Sequence, residues 1–319
     1  MSTYALYGEL FFPAHNGRQA FKIRRFNQVT TESSWKSLTD TAEITIPRKV
    51  KDFDRMNVSE WFREGDPIEI WLGYDGNLSL EFQGYINKVP AGIPLVISCE
   101  DEMYQLKRST VSVSKENCSL KELLQAVAPG YVIVCDESKV MGKVRYSNMP
   151  ASKILEDLTK SGINCWFEAK ELHAFGASKS DADPVEILLE KTAGESIKQK
   201  AIEATMVVIS LLRKVGKKLK VEFGDKGAGK RITRELSGIT LTKTEMLNEA
   251  KQIYNEAKQP GLDGDITLFG IPRVQHGMRV KLRSVLYPEK DGLYYIDSVT
   301  KTFSEEGYRQ QCKLGDKAV

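Results

Sequence analysis

A pattern that occurs twice, about two hundred residues apart, is the strongest constraint on what this chain can fold into. The first copy runs Gly65-Asp66-Pro67-Ile68-Glu69-Ile70, then Asp75-Gly76, then Tyr85-Ile86-Asn87-Lys88-Val89. The second runs Gly277-Met278-Arg279-Val280-Lys281-Leu282, then Asp291-Gly292, then Tyr295-Ile296-Asp297-Ser298-Val299. In both, a glycine is followed at the third and fifth positions by aliphatics, an Asp-Gly pair is expected to reverse the chain, and Tyr-Ile-x-x-Val closes the unit. Asp-Gly suits a tight reversal because glycine tolerates positive φ and aspartate bonds to its own downstream backbone. Aliphatics two apart share one face of a strand, so Ile68, Ile70 and Leu72 are assigned to a core and Glu69, Trp71 and Tyr74 to the opposite face. Two related β-units in one polypeptide are the expectation.

The 319 residues suffice for two or three domains, and 41% hydrophobic with 28% charged residues is the composition of a soluble globular protein. The longest apolar run, Met206 to Leu212, is broken by Ser210 and is far short of the ~20 residues that span a bilayer. No membrane insertion is expected. The amino terminus shows no basic stretch leading into an apolar core, which reads as no signal peptide and synthesis in the cytoplasm. Forty-six basic against 43 acidic residues leave a formal charge of +3, too small an excess for a nucleic-acid partner. The one basic cluster, Arg213, Lys214, Lys217, Lys218 and Lys220, reads as the solvated tip of a hairpin.

Strand-like text fills the first hundred residues, at Phe21 to Phe26, Thr41 to Ile46, Ile68 to Leu72, Leu78 to Tyr85 and Leu95 to Cys99. The connection between Ile46 and Ile68 carries Phe53, Met56, Trp61 and Phe62, and so is tucked onto its own domain or offered to a partner. After Arg108 the texture changes. Ser119-Leu120-Lys121-Glu122 has the form of a capping box opening a helix with Leu120, Leu123, Leu124 and Val127 on one side. A strand at Tyr131 to Cys135, a helix at Ser152 to Lys160 and a strand pair turning at Ala169-Lys170-Glu171 complete a small α/β insert. From Val185 strands return at Val185 to Leu189, Thr205 to Leu212, Leu219 to Phe223, Asp265 to Phe269, Met278 to Leu282, Leu293 to Val299 and Tyr308 to Leu314, interrupted by one helix from Lys243 to Lys258. The fold expected is mainly β, with two small β-barrels (residues 1–110 and 179–319) joined by an α/β body (residues 111–178).

No pattern commits the chain to catalysis. Gly224-Asp225-Lys226-Gly227-Ala228-Gly229-Lys230-Arg231 approaches the phosphate loop G-x-x-x-x-G-K-[ST], but Arg231 stands where a hydroxyl should hold magnesium. His15, His173 and His276 show no metal-hydrolase spacing, and five scattered cysteines show no paired zinc or disulfide pattern. Glu100-Asp101-Glu102 reads as a solvated strand end, since consecutive residues on an extended chain face opposite ways. No catalytic residue, cofactor or metal is expected.

Thr41-Ala42-Glu43-Ile44-Thr45-Ile46-Pro47, Gly65 through Tyr74, Phe82-Gln83-Gly84-Tyr85-Ile86 and Asp291 through Val299 with Gly307-Tyr308, taken in that order, resemble the baseplate hub proteins of contractile-tailed phages, the late control protein D-like family. The similarity covers nearly the whole chain. One departure is Tyr294, which stands where the first copy has Gly84. The resemblance implies two tail-tube-like barrels and a homotrimer whose six barrels join a six-fold tail tube protein to a three-fold central spike protein, in a virion tail baseplate. It extends to the hub part of type VI secretion spikes and other contractile injection machines. Phe53, Met56, Trp61, Phe62, Trp71 and Tyr74 are the candidate interface residues. Two other classes stay open: a cell-wall hydrolase riding on a hub, for which no added domain is seen before Val319, and a carbohydrate-binding β-protein in which Trp71 and Tyr74 stack on sugars.

Overall fold

The computed structural model describes residues 5–47, 61–212, 218–227, 229–236, 242–259 and 261–318. Its first unit is built from β1 (Leu6–Phe12), β2 (Phe21–Ile23), β3 (Gln28–Ser34), β4 (Thr41–Ile46), β5 (Pro67–Tyr74), β6 (Asn77–Lys88) and β7 (Leu95–Glu100). Period-two alternation sets the register. Ala42, Ile44 and Ile46 of β4 lie opposite Cys99, Ile97 and Leu95 of β7, and all six are buried. A slip of one residue would turn all of them to the other face. Ile68, Ile70 and Leu72 of β5 join the same core, closed at one end by the stacked rings of Phe12 and Phe21, 4.6 Å apart.

The two copies of the repeat share their backbone connections. In the first, Gly65 N–H donates to the Ile86 carbonyl at 2.8 Å and Ile86 N–H returns to the Asp66 carbonyl at 2.9 Å. In the second, Gly277 N–H donates to Ile296 at 2.7 Å and Ile296 N–H to Met278 at 2.9 Å. Both glycines have positive φ, 88° and 77°, a conformation that disfavours any side chain. The reversals differ. Asp75 and Gly76, at φ 51° and 81°, make a two-residue turn between β5 and β6. Asp291-Gly292 is not a turn, contrary to expectation. Asp291 has φ −61°, and the chain reverses earlier, through a loop after β21 that includes the short 3-10 helix Pro288–Lys290. The Asp291 carboxylate closes that loop by accepting from Ser284 N–H at 2.7 Å.

The insert follows α1 (Met103–Lys107) and comprises β8 (Thr110–Ser119), α2 (Leu120–Val127), β9 (Val132–Cys135), β10 (Val140–Pro150), α3 (Ala151–Lys160), β11 (Asn164–Glu168) and β12 (Glu171–Phe175). The capping box forms as expected. Ser119 Oγ accepts from Glu122 N–H while the Glu122 carboxylate accepts from Ser119 N–H at 2.9 Å. Leu120, Leu123, Leu124 and Val127 are buried on one face of α2, and Ala151, Ile154, Leu155 and Leu158 repeat that spacing on α3. Met103 and Leu106 of α1 belong to this same core, so it begins before residue 111.

The second half contains β13 (Val185–Leu188), β14 (Gly194–Glu195), β15 (Lys198–Gln199), β16 (Thr205–Leu212), β17 (Lys218–Gly224), β18 (Lys230–Leu236), α4 (Lys243–Ala257), β19 (Leu262–Asp263), β20 (Asp265–Phe269), β21 (Arg279–Arg283), β22 (Gly292–Ser304) and β23 (Gly307–Lys317). The strands expected over Thr205 to Leu212 and Leu219 to Phe223 exist, but they leave the second β-unit. They pair with β18 in a separate sheet, on whose Val207, Ile209, Leu211 and Val221 the α4 residues Met246, Ala250 and Ile253 pack. The halves meet on β22. One of its edges pairs with β23; the other pairs first with β21 and then, from Ser298 opposite Ser34 to Ser304 opposite Gln28, with β3. The result is one 13-stranded sheet in the order β14-β20-β23-β22-β3-β4-β7-β6-β5-β1-β2, with β21 and β13 branching from β22. Among the described residues neither half closes into a separate barrel. The molecule is mainly β with an α+β insert.

Candidate interaction seam and junction cleft

The seam between the halves is held by buried charge. At the register jump from Ile70 opposite Phe82 to Trp71 opposite Leu80, Glu81 is the extra residue of a β-bulge. Its carboxylate, 2% exposed, accepts from Lys301 Nζ of β22 at 2.5 Å and from Arg273 Nε at 3.0 Å, while Arg273 Nη2 donates to the Leu80 carbonyl at 2.7 Å. Burial holds the Lys301 ammonium below the usual lysine value, against an opposing pull from Glu81. Such a group is costly to strand. Removing one partner of a buried pair costs about 3–5 kcal/mol. Phe26 packs on Phe303 at 5.7 Å and Lys36 pairs with Asp297, so both ends of the seam are also tied. Sequence reasoning missed this cluster, although a signal was there: Lys301 is in phase with the buried Val299 and Phe303.

Of the candidate interface residues, Phe53 and Met56 lie outside the described residues. Phe62 is buried in the first core, and Trp61 packs on that core with its ring edge-on to Phe21 at 5.0 Å. Tyr74 corrects the assignment of faces. Counting by two puts it in phase with Ile68, Ile70 and Leu72, and its ring lies 6.0 Å from that of Tyr308. Its hydroxyl accepts from Gly270 N–H at 3.3 Å and donates to the Tyr308 carbonyl. Tyr74 is therefore a seam residue within the chain. Trp71 does point the other way; it is half-buried, and its indole N–H donates to Glu69 Oε2 at 3.0 Å.

A cleft of about 1190 Å³ opens where the insert meets both β-units, lined among others by Asp40, Glu81, Asp101, Trp166, His173 and His276. The acidic triplet Glu100-Asp101-Glu102 is not the solvated strand end expected from the sequence. Asp101 and Glu102 are buried because their oxygens have donors. Asp101 accepts from Met103 N–H at 3.0 Å and Asp40 N–H at 3.1 Å, and Glu102 accepts from the Tyr131 hydroxyl at 2.7 Å and that of Tyr85. Burial raises the Asp101 carboxyl well above the usual carboxylate value, the nearby Asp40 carboxylate adding to the effect. The Asp40 carboxylate in turn accepts from Ser34 N–H at 3.0 Å. These bonds are those of turns and a helix start rather than of a carboxylate pair poised around a water.

The glycine-rich loop has the wrong exit for phosphate. It joins β17 to β18, strand to strand, whereas a phosphate loop delivers its ligand to a helix amino terminus. Asp225 is engaged as a staple, accepting from Thr205 N–H, the Tyr254 hydroxyl and Lys258 Nζ, and these bonds pull its carboxyl down to about 2. Among the described residues no cluster of three or more histidine, cysteine or acidic side chains could hold a metal ion, and no helix is long and apolar enough to cross a membrane.

No protein-family model matches the sequence, and no curated protein matches it. Solved structures match the fold. A tail protein from Neisseria meningitidis MC58 is similar over 98% of this chain and 96% of its own, with a TM-score of 0.70 at 14% identity. The 43 kDa tail protein of prophage MuSo2 from Shewanella oneidensis is similar over 97% of this chain and 98% of its own, with a TM-score of 0.67 at 14% identity. The E. coli c3393 protein, a type VI secretion component with structural similarity to the T4 tail proteins gp27 and gp5, is similar over 92% of this chain and 74% of its own, with a TM-score of 0.56 at 10% identity. The chain has the fold of these tail and secretion proteins.

Proposed function

We propose that this chain is a structural, non-catalytic protein of a phage tail baseplate: a hub that assembles as a homotrimer and joins a six-fold tail tube to a three-fold central spike. The observation that carries the reading is the likeness of fold to a tail protein over 98% of the chain. The seam supports it. A part that transmits load between a tube and a spike needs halves that do not swing, and here the halves share a sheet and a buried ion cluster. The sugar-binding alternative loses its platform, because Tyr74 is engaged with Tyr308 and does not stand beside Trp71. A hub in a non-phage injection machine is the same reading in another setting.

Trp71 is the cleanest probe of the interface. A central interface tryptophan cut to alanine commonly costs about 2 kcal/mol or more of association, a change on the order of thirtyfold. Trp71→Ala is expected to weaken co-assembly with tube and spike proteins, read by light scattering, while far-UV circular dichroism stays that of the wild type. Wild-type assembly by the variant would remove Trp71 from the interface. Trp61→Ala is the less selective variant, since Trp61 also supports Phe21 within the chain.

A further inference from the structure

Two histidines from different parts of the chain converge on one tryptophan at the cleft. Trp166 lies on β11 of the insert, where its indole N–H donates to Glu168 Oε1 at 3.0 Å. His173, on the neighbouring β12, stacks on it with ring centroids 5.5 Å apart and planes 19° apart. His276 arrives from the second half, one residue before the positive-φ Gly277, and meets the same indole edge-on at 6.1 Å. The linker from the insert runs beside it, with Ser180 N–H donating to the Gly277 carbonyl at 2.9 Å. His173 Nε2 and His276 Nδ1 are both shut off from solvent, and neither has a hydrogen-bond partner within the chain.

We propose that Trp166, His173 and His276 form an acid-sensitive joint between the insert and the second β-unit, packed while the imidazoles are neutral and loosened when His276 takes up a proton. The two rings are not equivalent. His173 has carboxylates of its own insert in reach, Glu171 at 3.6 Å and Glu168 at 3.9 Å. His276 faces Glu168, already engaged by Trp166, and the other imidazole; Lys170, Lys179 and Arg273 also line the cleft, with Glu81 committed to Arg273 and Lys301. Burial pushes the His276 imidazole below the usual histidine value, with attraction from Glu168 working against it and repulsion from His173 with it. A histidine with a lowered native pKa contributes stability above its unfolded value, lost as pH falls toward the native one. Asp40 and Asp101 have the opposite sign. Burial raises both, so their contribution is full at acid pH and lost as pH rises. The melting temperature of the whole chain mixes the two signs, and only a local readout isolates the joint.

Hydrogen–deuterium exchange of the full chain at about pH 5.5 and about pH 7.5, corrected for intrinsic exchange, provides that readout. Acidification is expected to raise exchange in residues 164–176 and 274–280 on the order of tenfold relative to β3 and β4, and His173→Gln/His276→Gln is expected to abolish that contrast. Equal protection at both pH values, or an undiminished contrast in the double variant, would overturn the joint. Should the double variant fail to fold, the His276 ring-proton titration in the wild type decides: a midpoint at or above about 6.5 refutes the proposal and a lower one supports it. The joint stands or falls independently of the hub reading.

Discussion

The two copies of the repeated unit agree where the backbone is constrained and part company where it is free. Gly65 and Gly277 hold the same left-handed conformation and donate to corresponding isoleucines of the closing strands, Ile86 and Ile296. Ten residues before Tyr85 stands Asp75 and ten before Tyr295 stands Val285, and there the likeness ends: a two-residue turn in one copy, a longer loop with Val285 and Leu286 exposed in the other. The acids four residues before each tyrosine, Glu81 and Asp291, show what this freedom permits. Glu81 is turned by a bulge into the seam and pairs with Lys301, whereas Asp291 stays with its own loop. A duplicated strand pair keeps the bonds that fix register, and its other positions take separate roles.

The largest expected effect breaks that comparison at the acids. Glu81→Ala strands Lys301 in the interior and should lower unfolding free energy by about 3–5 kcal/mol, while Asp291→Ala, losing one bond to Ser284, should cost about 1 kcal/mol. Denaturant titration of both variants checks this, and equal losses would mean that Glu81 is no clamp. The double replacement Glu81→Leu/Lys301→Met should recover most of the loss, because an apolar pair of similar volume removes both buried charges and leaves only Arg273, which is part-exposed and keeps its bond to the Leu80 carbonyl.

Next in size is the position where the copies differ in side chain. A Cβ on Gly84 would be driven into the carbonyl oxygen of Glu100, so Gly84→Ala should destabilise by about 3 kcal/mol. Its counterpart Tyr294 fills core space, and Tyr294→Phe, which keeps the volume, should cost less than about 1.5 kcal/mol. A tolerated Gly84→Ala would show that β6 and β7 separate more readily than their register implies. The smallest effect belongs to the tip: Gly76→Ala, forced into a left-handed turn, should cost about 1–2 kcal/mol in thermal melts. No loss there would mean that the turn refolds into another type.

Local chemistry was legible in the sequence where one element carried its own signal. The capping box at Ser119 and the i, i+3, i+4, i+7 aliphatics of α2 needed no tertiary knowledge. Strands β4 and β7 each followed from clean alternation, while their pairing is a finding of the fold. The antiparallel pair of β8 and β10, separated in the chain by α2 and β9, left no such trace, since β8 buries only Val113 and Cys118 and its pairing with β10 is interrupted by three register shifts. Tyr74 was assigned to the wrong face although its spacing from Leu72 is even. Asp101 and Glu102 looked solvated because the donors that bury them come from Asp40, Met103, Tyr85 and Tyr131, most of them distant in sequence. The cluster of Glu81, Lys301 and Arg273 joins residues about two hundred apart, and only the shared sheet brings them together.

The proposed hub holds three copies of this chain. Multi-angle light scattering of the protein, alone and mixed with tube and spike proteins of the same source, tests it most directly. A complex containing three chains of 35.9 kDa for each spike is the expected result. A species that remains at 35.9 kDa in every mixture, or a complex with any other number of chains per spike, would contradict it.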